Sequence, residues 1–314
     1  ARLRDEHQRL IWLHPFSQGR LENRTAMITT AVHTVAPGIT LHCRVAGPVG
    51  APTLLFLHGF PEGAFVWDAL LTHFSQPENG GYRCVAPWLR GFGPSSAPTD
   101  ARDYRPKHLV QDILGIIQAE SPGAPLAALV AHDWGGAVAW NLANQFPQHI
   151  QRLAIINSPH PGTFLRELQH SAAQREASAY MNFLVRPDAP ALLAEDDFRR
   201  LWPFFQGPDG QWPAWMDEPT RNQYRAVWGA GLQGGCNYYR ASPLRPALGD
   251  DPGANAVTLP REMLTVDVPT WVLWALDDIA LCPGLIDGLG DYIPRLTLDK
   301  VPGAAGRIAA ICGC

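Results

Sequence analysis

Short, solidly apolar runs recur along the chain, at Thr53–Leu57 (TLLFL), 82–86, 126–131, 153–157 and Thr270–Ala275. A run of about five such residues without alternation is what a strand needs when both of its faces are covered. Helical patterns lie between the runs. Residues 107–119 carry Leu109, Val110, Ile113, Leu114, Ile116 and Ile117 as one broad stripe, and 135–146 read as a second helix. Ahead of them, 28–35 and 39–45 alternate and are rich in β-branched residues around a Pro37-Gly38 turn, the pattern of a hairpin. Antiparallel strands followed by strand–helix alternation predict an α/β fold, with a mostly parallel sheet flanked by helices.

The texture changes between about residues 161 and 259. Strand runs vanish, and helical stretches at 164–184, 190–202 and 219–229 alternate with loops rich in Pro and Trp, Trp202, Trp212, Trp215 and Trp228 among them. This predicts a helical cap, 161–259, inserted into a core made of 27–160 and 260–314. Such a cap roofs the carboxyl ends of the strands, where open α/β sheets bind ligands. At 46% hydrophobic and 17% charged, the 314 residues are not those of a disordered, collagenous or coiled-coil chain. The net charge of −4 and the lack of any Lys/Arg-rich run give no reason to expect nucleic acid as a partner. No apolar stretch approaches the roughly 18 residues that span a bilayer, so no membrane is expected. The six cysteines form no C-x-x-C pair, which leaves no zinc or redox motif and points to reduced thiols in a cytoplasm.

The strongest chemical signal is Ala131-His132-Asp133-Trp134-Gly135-Gly136, which follows an apolar run and opens a helix. It has the layout of a nucleophile on a sharp strand-to-helix turn, with small neighbours and Asp at the centre. The helix N-terminus behind it favours negative charge. Taken alone, an ordinary turn with an Asp cap reads the same way. Leu57-His58-Gly59-Phe60-Pro61-Glu62 follows the TLLFL run and puts the Phe60 N–H within reach of such a nucleophile. With the N–H of Trp134 it would form an oxyanion hole.

HGFPE, RGFG (residues 90–93), HDWGG and NSPHP (residues 157–161) together resemble the epoxide hydrolase branch of the α/β-hydrolase superfamily, over roughly residues 27–303. The resemblance implies an α/β-hydrolase fold and a small-molecule epoxide substrate; no motif for a metal or nucleotide cofactor is present, so no cofactor is expected. It implies that Asp133 attacks an epoxide carbon to form an alkyl-enzyme ester, which water then hydrolyses to a vicinal diol. A carboxylate suits this chemistry because it leaves an ester that water can cleave. The family's two cap tyrosines, which donate to the opening epoxide oxygen, match Tyr239 in Asn237-Tyr238-Tyr239-Arg240 and Tyr180, seven residues before Pro187. Tyr238 is then expected to face away and pack. The acid that orients the base matches Asp278, with Asp277 as the fallback. The resemblance also places His58, Pro61 and His160 in the pocket. The Trp and Leu content of the cap suggests an apolar or aromatic substituent on the epoxide.

The pattern breaks near residue 306. A catalytic His is expected after a last strand at Leu296–Val301, yet Gly306 holds that register and no His follows His170. Residues 304–314 show no amphipathic pattern, so the helix that closes the fold is expected to be missing, as from a frame change or truncation near codon 304. Met27 looks like a natural start, with 1–26 outside the fold. Without the base, a slow or single turnover is expected, and His160 and His132 are poor substitutes. Two other readings compete. One is a haloalkane or haloacid dehalogenase using the same Asp, with the Trp134 indole on the halide. The other is a non-catalytic or truncated relative. Oligomeric state has no signature in the sequence.

Overall fold

A computed structural model describes residues 27–207 and 210–302. Eight strands form one sheet: β1 (Thr29–Ala36), β2 (Ile39–Ala46), β3 (Thr53–Leu57), β4 (Arg83–Pro87), β5 (Ala128–His132), β6 (Leu153–Ile156), β7 (Thr270–Ala275) and β8 (Leu296–Val301). Their order is β1-β2-β4-β3-β5-β6-β7-β8, with β2 antiparallel to both neighbours and every other pairing parallel. The expected mostly parallel α/β sheet is thus present, with helices between its strands. The expectations for residues 1–26 and 304–314, the absent closing helix and the base register at Gly306 included, lie outside the described residues.

Strand β3 shows why the apolar runs are unbroken. Leu55 and Leu57 point into one core cluster and Leu54 and Phe56 into another. With period 2, alternate side chains of one strand serve opposite faces of the sheet, so both sets must be apolar. The helices α1 (Asp68–Phe74), α2 (Pro106–Glu120) and α3 (Asp133–Gln145) cover these faces. In α2, Pro106 sits at the first position, where its missing N–H costs nothing, and Leu109, Val110, Ile113, Ile116 and Ile117 are buried. Gly115 lets that helix close on β1, since a Cβ there would lie 2.8 Å from the Val35 side chain.

Among the described residues between β6 and β7 are six α-helical segments: α4 (Pro161–His170), α5 (Ala172–Ala177), α6 (Tyr180–Leu184), α7 (Ala189–Phe198, kinked at Glu195–Asp197), α8 (Glu218–Gly229) and α9 (Gln233–Ala241). The helical stretch expected over 164–184 is three helices. Ser171 is extended and caps α5 through its hydroxyl, which breaks the run after His170. Helix α9 has no signal in the sequence, because Gln-Gly-Gly-Cys-Asn is poor helix material. Its two glycines are there for approach. A Cβ on Gly234 would meet the Gly91 carbonyl oxygen at 2.2 Å, and one on Gly235 the Phe60 ring at 2.7 Å.

The chain runs from β3 outward to β4, then crosses back to β5 on the other side of β3. Connections diverge there, which opens a crevice at the carboxyl ends of β3 and β5. The loops after β3, β5, β6 and β7 meet over it.

Candidate active site

Asp133 is the first residue of α3, and its backbone is left-handed, with φ 49°. Such a conformation costs a non-glycine residue about 1 kcal/mol or more and persists only where packing enforces it. Here the enforcing contacts are close approaches to glycine. A Cβ on Gly135 would lie 2.5 Å from the Leu57 carbonyl oxygen, and one on Gly136 2.3 Å from Ser158 Cβ. The Ser158 hydroxyl donates to the Asp133 carbonyl at 2.7 Å. The turn therefore presses the Asp133 side chain toward the loop after β3.

There the Phe60 N–H donates to Asp133 Oδ1 at 2.7 Å, and the Trp134 N–H donates to the same carboxylate. Burial pushes the Asp133 carboxyl above its usual range, against the pull of His132 and these two donors. Gly59 faces the carboxylate so closely that a Cβ would sit 2.3 Å from Asp133 Cβ and 2.4 Å from Oδ1. Gly59→Ala is accordingly expected to displace the carboxylate and to slow any reaction that needs it about 100-fold. The rate of covalent modification of Asp133 measures this, and an unchanged rate would show that the approach is not critical.

The pocket above Asp133 holds roughly 620 Å³ of empty space, its open mouth included. Tyr180, Tyr239, Asp278, Phe60 and Pro61 line it together with Asp133. The two phenols hydrogen-bond each other, and their rings meet edge to face at 6.1 Å. Burial pushes both hydroxyls above the ordinary phenol range, so they are protonated donors at neutral pH. The Trp134 side chain hydrogen-bonds Tyr239. Tyr238 points the other way, its hydroxyl donating to the Arg90 carbonyl at 2.9 Å.

Asp278 lies in the loop after β7, while Asp277 beside it is exposed. Asp278 Oδ1 accepts from the N–H groups of Ala280 and Leu281 at 2.8 and 3.1 Å, and Oδ2 from Asn157 Nδ2 at 2.9 Å. Burial raises its carboxyl above the usual range despite these donors.

His58 and His160, expected in the pocket, are not among its lining residues. Both are buried behind it with both ring nitrogens engaged. His58 bonds the Gly59 carbonyl and the Leu89 N–H. His160 bonds the Leu264 carbonyl and the Gly162 N–H, and stacks on Tyr292. Burial lowers each imidazole to a pKa of about 4. They hold loops together.

Four pocket residues escaped the sequence reading. Asn157, left-handed at φ 37°, accepts from the Ala275 N–H at 2.7 Å and donates to Asp278, which ties the end of β6 to the loop after β7. Asn tolerates that backbone better than most residues, and its place in NSPHP was the available signal. Glu62 accepts from the Tyr224 hydroxyl at 3.2 Å and pairs with His132 Nδ1 at 3.1 Å. Burial opposes its ionisation, but His132, His58 and Tyr224 outweigh this and hold its carboxyl below the usual range. Phe204 and Phe205, aromatic side chains with no motif, complete the wall.

The family described as "alpha/beta hydrolase fold" matches residues 52–311, which makes this an α/β-hydrolase-fold protein. Its curated relatives include Epoxide hydrolase 1 of Caenorhabditis elegans, 30% identical over 85% of this chain and 63% of that protein. They also include an epoxide hydrolase of Caballeronia sordidicola, 31% identical over 86% of this chain and 83% of that protein. Among solved structures, an epoxide hydrolase of Bacillus megaterium, crystallised with an inhibitor, matches at TM-score 0.76 and 27% identity, over 85% of this chain and 90% of that one. One of a set of epoxide hydrolases from metagenomes of hot environments matches at TM-score 0.75 and 34% identity, over 91% and 94%. The chain belongs to the epoxide hydrolase branch of the α/β-hydrolase superfamily. It spans less than two thirds of the length of several of its curated relatives. Among the described residues, no helix is long and apolar enough to cross a membrane, and no group of three or more His, Cys, Asp or Glu could hold a metal.

Proposed function

We propose that this protein opens epoxides by attack of the Asp133 carboxylate on an epoxide carbon, and that the resulting ester is released slowly. In the first step the carboxylate oxygen bonds to carbon while the carbon–oxygen bond of the ring breaks. Tyr180 and Tyr239 donate hydrogen bonds to the oxygen as it takes up charge, and one supplies the proton. In the second step water attacks the ester carbonyl, and the N–H groups of Phe60 and Trp134 act as an oxyanion hole. Asp278 would orient a base, and Gly306 stands at the position where the family resemblance expects that base. Helices over 161–259 serve as a cap on a core of 27–160 and 260–314, and the aromatic wall suits an apolar or aromatic substituent. A cytoplasmic location fits the same reading, since Cys43, Cys84, Cys236 and Cys282 are free thiols.

The observation that carries the proposal is Asp133 on a left-handed turn, aimed by the Phe60 N–H at 2.7 Å into a pocket that also holds a hydrogen-bonded pair of phenols. The test is incubation with styrene oxide followed by intact and peptide mass spectrometry. One epoxide mass is expected per chain, on the peptide containing Asp133. The adduct rate is expected to fall as pH drops through a carboxyl pKa above the usual 3.8, because only the ionised Asp133 attacks. It should then stay level up to the elevated phenol pKa values. A rate that rises toward acid, or halide release from a chloroalkane with no adduct from the epoxide, would overturn the reading.

A further inference from the structure

Gln174 is fully buried in α5, well away from Asp133 in sequence, and every hydrogen-bonding atom of its amide is used. Its Nε2 donates to the Ala280 carbonyl at 2.8 Å and to Ser178 Oγ at 2.8 Å. Its Oε1 accepts from the Cys282 N–H at 2.9 Å. The amide thus brackets the loop after β7 from both sides of Leu281, and its remaining N–H grips the residue two before Tyr180. Inside the bracket the same loop turns its own N–H groups, those of Ala280 and Leu281, onto Asp278 Oδ1. Ile279, Ala280 and Leu281 form one wall of the pocket, and Tyr180 forms part of another.

We propose that Gln174 is a positioning residue, whose side-chain amide sets the Asp278 loop and the Tyr180 helix at a fixed spacing and thereby decides which epoxide carbon faces Asp133. The inference rests on the epoxide-opening reading and deepens it. A buried primary amide suits the task because it offers two donors and an acceptor in a rigid plane, so it can fix three groups at once. No isosteric apolar side chain can do so, and its removal leaves the Ala280 carbonyl and the Cys282 N–H without this partner in a partly buried place. The loop after β7 then keeps its tie to Asn157 but loses its link to the Tyr180 segment. Tyr180 senses the charge of Asp278, as expected of groups kept close together. An unsymmetrical epoxide such as styrene oxide reports on this spacing directly. Attack at its benzylic or its terminal carbon gives two different esters on Asp133, and the phenols and the wall opposite them choose between the two.

The experiment compares the parent chain with Gln174→Met, which keeps the volume and deletes the three bonds, and with Ser178→Ala, which removes only the link to the Tyr180 segment. Each is alkylated with styrene oxide, and the two regioisomeric esters are resolved on the Asp133 peptide. Leu168→Ala, a buried change in α4 whose side chain packs in a separate cluster with Leu165 and Ala254, controls for lost stability. In Gln174→Met the regioisomer ratio is expected to shift at least about threefold and the half-saturating epoxide concentration to rise about tenfold. Ser178→Ala should shift the ratio in the same direction, and Leu168→Ala should leave it unchanged. If Gln174→Met does not fold, Ser178→Ala carries the test. An unchanged ratio in every folded bracket variant, or an equal shift in Leu168→Ala, overturns the role of Gln174. Absence of any Asp133 adduct in the parent chain is a different result, which overturns the epoxide-opening reading instead.

Discussion

Asp133→Asn is expected to lower covalent capture of an epoxide by at least about 1,000-fold, because a neutral amide oxygen is a far weaker nucleophile than a carboxylate. The substitution is clean in structural terms. Asn has the same shape, tolerates the left-handed backbone at φ 49°, and still offers an oxygen to the Phe60 N–H. Stability should not fall. Burial raises the Asp133 pKa in the folded chain above its unfolded value, so at neutral pH the ionised carboxylate is disfavoured by folding. A neutral Asn removes that penalty, and the melting temperature should equal or exceed that of the parent. Intact mass spectrometry at saturating epoxide gives the capture rate, and calorimetry gives the stability. Capture at the parental rate by a folded Asp133→Asn variant would show that the attacking group lies elsewhere.

The second large effect is on turnover. With styrene oxide, the 314-residue chain should release diol in its first turnover far more slowly than it forms the ester. A positioned general base is worth roughly 100- to 10,000-fold in rate, and steady diol formation should lag ester formation by a factor of that order. The histidines near the site do not supply the base. His58 and His160 have both ring nitrogens committed, and burial lowers their pKa values to about 4, which makes them weak proton acceptors. His132 is held by Glu62 at 3.1 Å. Quenched samples should therefore contain close to one esterified Asp133 per chain, and added imidazole should speed release of the diol. Many turnovers per chain with no accumulated ester would defeat the prediction and point to a base among the residues present.

Much of the site was legible because its chemistry depends on local rules. A left-handed Asp needs small neighbours, and Gly135 and Gly136 announce the turn in the sequence. Asp278 and Asp277 part company for a reason the sequence hides. Only Asp278 turns inward, where Asn157 and two loop N–H groups receive it. The histidines show the opposite. His58 and His160 stand in the right motifs, but a motif does not say whether a ring faces the pocket or the loop behind it. Helix α9 was invisible because its glycines answer to Gly91 and Phe60, residues more than 140 positions away in the chain.

The sequence by itself determined the strands of the sheet, the two core helices over 107–119 and 135–146, and the turn that carries Asp133. These follow from periodicity and from backbone preferences, which act over a few residues. Only the tertiary structure decided how those side chains meet. The grip of Phe60 on Asp133, the pairing of the phenols, the inward turn of Asp278 and the bracket of Gln174 each join segments distant in the chain. Contacts of that kind are set by packing and by the need to satisfy every buried polar group, which no short stretch of sequence encodes.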